Sequence, residues 1–205
     1  PDGGNILRLC STTGHQLARV DVVATEIEGE LSGVIVPRKA IQEMRLIVDK
    51  PQGQVRLTFR ANTVSLECGN MTLKSKLVDG TFPDYERVIP KQAAVHKFTV
   101  SAAQVRDAVD RVCTVVANKA APVSFEFGGG VLGLQVTSNG DVAQDEISIT
   151  GDGKIEIGFD SHYITEATSH FSGEMTVSII DETSPVIFTS TDDPTSLFIV
   201  MPCRV

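Results

Sequence analysis

The chain has 205 residues, of which 41% are hydrophobic, so it is long enough and apolar enough for one large or two ordinary domains. Its formal net charge of −8 excludes a global basic field that would attract nucleic acid or an anionic membrane, and any contact with a polyanion must be local. No apolar run reaches the roughly 18 residues of a membrane-spanning helix. Four scattered cysteines and the lack of a signal peptide predict free thiols and a cytoplasmic protein.

The chain opens with two predicted strands, Ile6–Cys10 and Gln16–Val23, which are joined by a turn at Gly14. A unit of one strand, one helix and three strands follows. Its members are the strand Gly33–Val36, a helix over Arg38–Val48 with Ile41, Met44 and Val48 on its apolar face, and the strands Val55–Phe59, Thr63–Glu67 and Met71–Leu77.

The same pattern recurs twice at a spacing of roughly sixty residues. The second unit consists of the strand Lys97–Val100, a helix from Ala102 to about Val116 that is capped by Ser101, and the strands Val123–Phe127, Val131–Thr137 and Val142–Thr150. The third consists of the strand Lys154–Phe159, a helix that is capped by Asp160 or Ser161, reaches about Phe171 and is ended by Gly173, and the strands Glu174–Ile180, Val186–Ser190 and Ser196–Met201.

Half-polar strands in hairpins predict antiparallel sheets with one face covered by helices, an α+β fold. Pairs of units would form domains. Residues 91–205 then make one complete domain. Residues 1–90 make an incomplete domain with a linker that is rich in turn residues, and its two opening strands resemble the tail of a further unit.

The last five residues, Met201–Val205, follow an apolar strand. Because Pro202 cannot donate a ladder hydrogen bond, we expect the chain to leave the sheet there. Met201, Cys203 and Val205 would then be exposed beside Arg204. Such a surface is typical of a docking site for another protein, and a terminal strand that only completes the core is equally compatible with the residues.

No spacing in the sequence predicts catalysis or a metal. His15 is an isolated histidine between two strands, and no histidine pair has ligand spacing such as HExxH. Gly128–Gly130 precede a strand and not a helix, so they form a hairpin turn and not a phosphate-binding loop. Arg38 and Arg45 share one face of the first helix, with Lys39 nearby. Taken alone, these cations indicate a solvated surface more strongly than a phosphate-facing one.

Four stretches together resemble the bacterial sliding clamps, the beta subunits of DNA polymerase III. Leu73–Pro90 is similar to the junction between the second and third domains of that family. Thr12–Ala18 resembles its TDGHRLA stretch, Val34–Lys39 its VIVPRK stretch, and Val200–Val205 its VMPMRL ending. The resemblance follows the whole chain in order. It implies that the chain corresponds to about the last half of domain two and all of domain three of the family.

The resemblance implies a DNA-clamp fold and a non-catalytic processivity factor without a cofactor. In that family two chains form a closed ring around duplex DNA, with helices lining the hole and sheets outside. It assigns Arg38, Lys39 and Arg45 to the DNA-facing surface, and Thr114 and Val115 to the interface between the two chains of the ring. The alternative, a secreted or surface β-rich interaction module, shares the strand pattern but lacks a visible export signal.

The resemblance also implies a pocket in which polymerases, the clamp loader and repair proteins insert a peptide with Leu and Phe anchors. The matching positions are Thr12, Gly14, His15, Leu17, Pro83, Arg87, Val88, Pro185, Val200, Met201, Pro202, Cys203 and Arg204, with Tyr163 and Thr183 as weaker matches. Two positions differ from the family pattern. Gln16 replaces a basic residue at the rim, and Cys203 replaces a flexible methionine.

Overall fold

The computed structural model describes residues 5–29, 33–49, 53–117 and 121–205. These residues form an α+β fold in which all paired strands are antiparallel. In chain order the elements are β1 (Ile6–Thr12), β2 (Gln16–Val23), α1 (Arg38–Val48), β3 (Val55–Arg60), β4 (Thr63–Cys68), β5 (Met71–Lys76), β6 (His96–Ser101), α2 (Ala102–Val112), β7 (Pro122–Gly128), β8 (Val131–Ser138), β9 (Asp141–Ser148), β10 (Thr150–Asp152), β11 (Ile155–Asp160), α3 (Ser161–Ser169), β12 (Glu174–Ile179), β13 (Val186–Ser190) and β14 (Ser196–Val200).

The elements separate into two compact units. One contains the described residues from 27 to 84, and the other combines the described residues up to 26 with residues from 85 onward. No helix among the described residues has the length and apolar character needed to cross a membrane.

The smaller unit packs α1 against a sheet of order β3-β4-β5, around Met44, Val64, Leu66 and Cys68. The predicted bounds of α1 are confirmed. The predicted apolar face is partly wrong, because Ile41 is 48% exposed. The helix instead buries Ala40 and Met44 and packs Ile47 and Val48 on the core, since a three-stranded sheet covers only a narrow stripe of it.

The strand predicted over Gly33–Val36 is also reduced. Only Ile35 is paired, in a single bridge with Val78. Pairing stops there because Pro37, two residues later, already precedes the first turn of α1.

The larger unit contains two sheets, of order β1-β2-β14-β13-β12-β6-β10 and β11-β7-β8-β9. The second and third sequence units exchange their first strands, because β6 pairs with β12 and β11 pairs with β7. The helices α2 and α3 pack on a continuous core. The predicted apolar stripe of α2 is confirmed, since Val105, Ala108, Val109 and Val112 are all buried.

The helix starts of this unit are confirmed, and the predicted ends are wrong. The Ser101 hydroxyl accepts a hydrogen bond from the Gln104 amide at 3.4 Å, and the Asp160 carboxylate accepts one from the His162 amide at 2.8 Å. The α-helical part of α2 ends at Val112, and a 3₁₀ turn continues to Val115. Helix α3 ends at Ser169 and not at about Phe171, because short-range bonds from the amides of His170 and Phe171 close its last turn.

The opening hairpin extends the sheet of the C-terminal residues. Strand β2 pairs with β14 from Gln16 opposite Val200 to Val20 opposite Ser196. The predicted turn at Gly14 is confirmed by its φ of 92°, a left-handed conformation that favours glycine. This pairing places the opening hairpin beside the last strand of the sheet.

Candidate functional site

Three separate parts of the chain meet at one end of the seven-stranded sheet. Val200, the last residue of β14, pairs with Gln16 on one side and with Val186 on the other. The β1–β2 turn, the loop before β13 and the C-terminal segment therefore lie together. The structure thus groups most of the predicted peptide-pocket residues, although the sequence separates them widely.

Hydrogen bonds hold the β1–β2 turn in one conformation. The Thr12 hydroxyl donates to the Gln16 carbonyl at 2.9 Å and accepts from the Gly14 amide at 3.2 Å. The His15 carbonyl accepts a hydrogen bond from the Met201 amide at 2.8 Å. The turn is therefore joined directly to the C-terminal segment.

Helix α3 supplies one side of this region. The His15 ring stacks on the Tyr163 ring with a centroid distance of 5.6 Å and an interplanar angle of 16°. The Gln16 amide donates a hydrogen bond to the Glu166 carboxylate on the same helix. Sequence reasoning missed Glu166, and no local signal indicates it. Gln16 stands where the family pattern has a basic residue, and it is thus hydrogen-bonded to a carboxylate.

The C-terminal segment turns away from β14 and is partly covered. Met201, Pro202 and Cys203 are half-buried, whereas the prediction made the first and third exposed. Val205 is exposed, at 65%. The chain leaves the sheet after Val200, one residue before the predicted end of the strand. Burial raises the pKa of the Cys203 thiol, and the nearby Asp160 carboxylate raises it further. The thiol is therefore neutral at pH 7 and acts as a small apolar group.

An apolar pair lies on the outer face of the sheet at the same end. Val186 and Val200 belong to the core under the helices, and alternate residues of a strand point to opposite faces. Leu17 and its register partner Ile199 therefore lie on the face away from that core, and both are buried, at 3% and 1% exposure. Leu17 is a predicted pocket residue. Ile199 was missed, because Leu197–Val200 is a continuous apolar run in which no alternation distinguishes one face from the other.

The segment that carries Arg87 and Val88 is tied to the opening hairpin. It forms a 3₁₀ turn over Tyr85–Arg87, and the Val88 amide donates to the Tyr85 carbonyl at 3.0 Å. The Arg8 guanidinium forms two hydrogen bonds with the Asp21 carboxylate, at 2.7 and 2.8 Å, and another with Tyr85. The bonds with Asp21 and Tyr85 raise the pKa of Arg8, and the bond from Arg8 lowers the pKa of Asp21.

Thr183 and Pro185 lie in the loop before β13. The Asp181 carboxylate accepts hydrogen bonds from the amides and hydroxyls of Thr183 and Ser184, all between 2.7 and 2.8 Å. These bonds, that of the Ser184 hydroxyl first, lower the pKa of Asp181. The loop is therefore stabilised from within. Pro185 is half-buried directly before Val186.

The other predicted site residues lie elsewhere. Pro83 is an exposed residue of the smaller unit. In that unit, Arg38, Lys39 and Arg45 are exposed on α1; we call them the α1 cation cluster, and the only acidic residue of this helix is Glu43. Their solvent exposure fits either a solvated or a phosphate-facing surface.

Thr114 and Val115 lie in the 3₁₀ turn after α2. The Thr114 side chain is exposed, and its hydroxyl donates to the Arg111 carbonyl at 2.7 Å. Val115 packs partly against the core. In the described ranges of the chain, no group of three or more His, Cys, Asp or Glu side chains is placed to hold a metal ion.

Two family models together match almost the whole chain. The model of the DNA polymerase III beta subunit, central domain, matches residues 3–84, and the model of its C-terminal domain matches residues 86–204. The boundary between them lies in the segment whose sequence resembles the domain junction of the clamps.

Individual relatives agree with these matches. The beta sliding clamp of Caulobacter vibrioides is 35% identical over 100% of this chain and 56% of its own length, and that of Pseudomonas putida is 33% identical over 98% and 55%. A crystal structure of the Caulobacter crescentus clamp has a TM-score of 0.93 at 34% identity, over 100% of this chain and 55% of that one. A Bartonella birtlesii clamp bound to griselimycin has a TM-score of 0.89 at 35% identity, over 98% and 55%. The chain spans about half the length of these relatives.

Proposed function

The chain belongs to the family of DNA polymerase III beta subunits, the bacterial sliding clamps. We therefore propose that it forms part of a ring-shaped processivity factor without catalytic activity. Residues 1–90 would supply the C-terminal half of the central domain with the linker, and residues 91–205 the C-terminal domain. The relatives named above are all clamps, so a secreted β-rich module is not proposed.

The α1 cation cluster supports a DNA-facing role for that helix. It concentrates positive charge on an otherwise acidic chain, and exposed Arg and Lys side chains contact phosphates without reading base sequence. In a ring, weak contacts of this kind hold the duplex in the hole and still permit sliding. Thr114 and Val115 would contribute to the interface between the two chains of that ring, and the ring itself would act in the cytoplasm.

We further propose that the end of the seven-stranded sheet docks short peptides from polymerases, the clamp loader and repair proteins. The observation that carries this proposal is the convergence of the β1–β2 turn, Tyr163 and the C-terminal segment at one place. Half-buried Met201 and Pro202 offer apolar contact beside the polar groups of His15 and Arg204. An apolar surface with a polar rim fits a peptide that inserts apolar anchors.

Calorimetric titration with a short peptide that carries one Leu and one Phe anchor tests this proposal. We expect a dissociation constant in the micromolar range, equivalent to about −8 kcal/mol. Burial of the two anchors would supply roughly 1.5–3 kcal/mol each, and hydrogen bonds and preorganisation the remainder. The control is the same peptide with both anchors replaced by Ala. Equal binding of the two peptides, or no binding of either, would contradict a docking site for apolar anchors.

A further inference from the structure

The C-terminal segment connects the two sheets of the larger unit. The Met201 amide donates to the His15 carbonyl at the end of the seven-stranded sheet. Two residues later, the Cys203 amide donates to the Gly158 carbonyl on β11, at 2.8 Å. Strand β11 is an edge of the four-stranded sheet. Pro202, between these two amides, has no N–H to donate. The segment is therefore held at two points by backbone bonds to different sheets.

The second point of attachment exists only because residue 158 has no side chain. A Cβ atom built on Gly158 would collide with the Cys203 carbonyl oxygen and would lie 2.7 Å from Cγ1 of Val205. Gly158 does not have the left-handed backbone conformation that favours glycine, so an alanine could adopt its φ and ψ. Glycine is thus required here because there is no room for a Cβ atom, and not because of its backbone conformation. A glycine inside a strand often marks such a close backbone approach.

We propose that Gly158 is a positioning residue for peptide docking, because it lets β11 anchor the C-terminal segment. This inference rests on the peptide-docking function proposed above. With the anchor in place, the backbone from Met201 to Cys203 is fixed at both ends, so that Met201 and Pro202 are already ordered when a peptide arrives. A preformed surface binds more tightly than one that must be ordered during binding.

Loss of the anchor leaves the segment held at the His15 end alone. The peptide must then order Pro202, Cys203 and Arg204 as it binds, and the accompanying loss of conformational entropy weakens its affinity. The effect arises on the free protein and does not require Gly158 to touch the peptide. It is therefore visible without any peptide, as faster exchange of the Cys203 amide.

The test compares Gly158→Ala with Gly133→Ala in the full chain. Gly133 lies on β8 of the same sheet, and a Cβ there would meet no atom closer than 3.9 Å, an ordinary contact. We expect Gly158→Ala to accelerate hydrogen exchange of the Cys203 amide and alkylation of the Cys203 thiol at least tenfold. We also expect it to weaken binding of the Leu/Phe peptide about tenfold or more, and Gly133→Ala to leave all three unchanged.

A second pair of variants keeps the test decisive if Gly158→Ala does not fold. Cys203→Pro removes the N–H that donates to Gly158 and leaves β11 intact, and Cys203→Ala keeps that N–H. Both variants lose the Cys203 side chain, which lies in the candidate pocket, so the comparison between them isolates the N–H. We expect Cys203→Pro to bind the peptide about tenfold more weakly than Cys203→Ala and to accelerate exchange of the neighbouring Arg204 amide relative to it. Equal affinity of the proline and alanine variants would overturn the proposal.

The two proposals fail in different ways. If the wild-type chain binds the peptide but Gly158→Ala changes neither Cys203 exchange nor affinity, the anchoring role is wrong and the docking function stands. If Gly158→Ala accelerates Cys203 exchange but the wild-type chain binds no peptide, the segment is anchored as proposed and the docking function is refuted.

Discussion

Deletion of Met201–Val205 should separate the stability of the larger unit from the peptide binding that we propose for it. The deletion removes two backbone hydrogen bonds, to the His15 and Gly158 carbonyls, which contribute about 1 kcal/mol each. The lost burial of Met201 and Cys203, which are only half-buried, costs roughly 1–2 kcal/mol more. A total of about 3–4 kcal/mol is below the stability of an ordinary domain, and the core residues up to Val200 remain.

Peptide binding should suffer far more than folding. Without the segment, one apolar anchor of the peptide loses most of the surface that covers it. This loss weakens the binding free energy by about 2–3 kcal/mol, so the dissociation constant should rise roughly 30- to 150-fold. Urea unfolding measures the first quantity and calorimetric titration with the Leu/Phe peptide the second. Deletion of the exposed Val205 alone is the matched control and should change affinity less than about threefold. Full affinity after removal of all five residues would refute the reasoning, because the peptide would then bind elsewhere.

Three further predictions concern the core, the hairpin and α1. Ile164→Ala, at a position with 0% exposure, should lower the free energy of unfolding by about 2–5 kcal/mol in urea titrations, whereas Val142→Ala, 55% exposed, should cost less than about 1 kcal/mol. The hydrogen bond from Arg8 lowers the pKa of Asp21 in the folded protein. The Arg8–Asp21 pair therefore stabilises the fold fully above the pKa of about 4 that an unfolded Asp has, and this stabilisation is lost as the pH falls through the lower pKa of the folded protein. Asp21→Asn should therefore destabilise at pH 7, with a difference from wild type that shrinks in acid; a difference that persisted in unfolding curves near pH 2 would contradict this role. Replacing the α1 cation cluster with Ala should weaken the binding of duplex DNA. It should also reduce the slope of log affinity against log salt concentration by about 0.9 for each phosphate that is no longer neutralised. If fluorescence anisotropy gave an unchanged slope, α1 would not belong to the DNA-facing surface.

Local signals in the sequence determined the individual elements well. The bounds of α1 follow from Pro37 and the helical period, and the hairpin between β7 and β8 follows from Gly129-Gly130, whose φ angles of 62° and 81° only glycine adopts readily. The resemblance of whole motifs located the candidate pocket residues. These predictions succeed because caps, turns and periodicity depend on neighbours within a few residues.

The tertiary structure decided which of these elements meet. No local pattern shows that β6 pairs with β12, that β11 pairs with β7, or that the opening hairpin joins β14. Ile41 was misassigned to the core for the same reason, since the width of the sheet beneath α1 decides which face is covered.

The residues missed by sequence reasoning depend on these long-range pairings. Ile199 acquires its place from the register with Leu17, Glu166 from the approach of α3 to Gln16, and Gly158 from the path of the last five residues. The sequence by itself determined that the apolar residues Met201–Cys203 follow a predicted strand and that Pro202 interrupts its pairing. Only the packing of two sheets side by side decided that a glycine forty-five positions before Cys203 would hold the C-terminal segment.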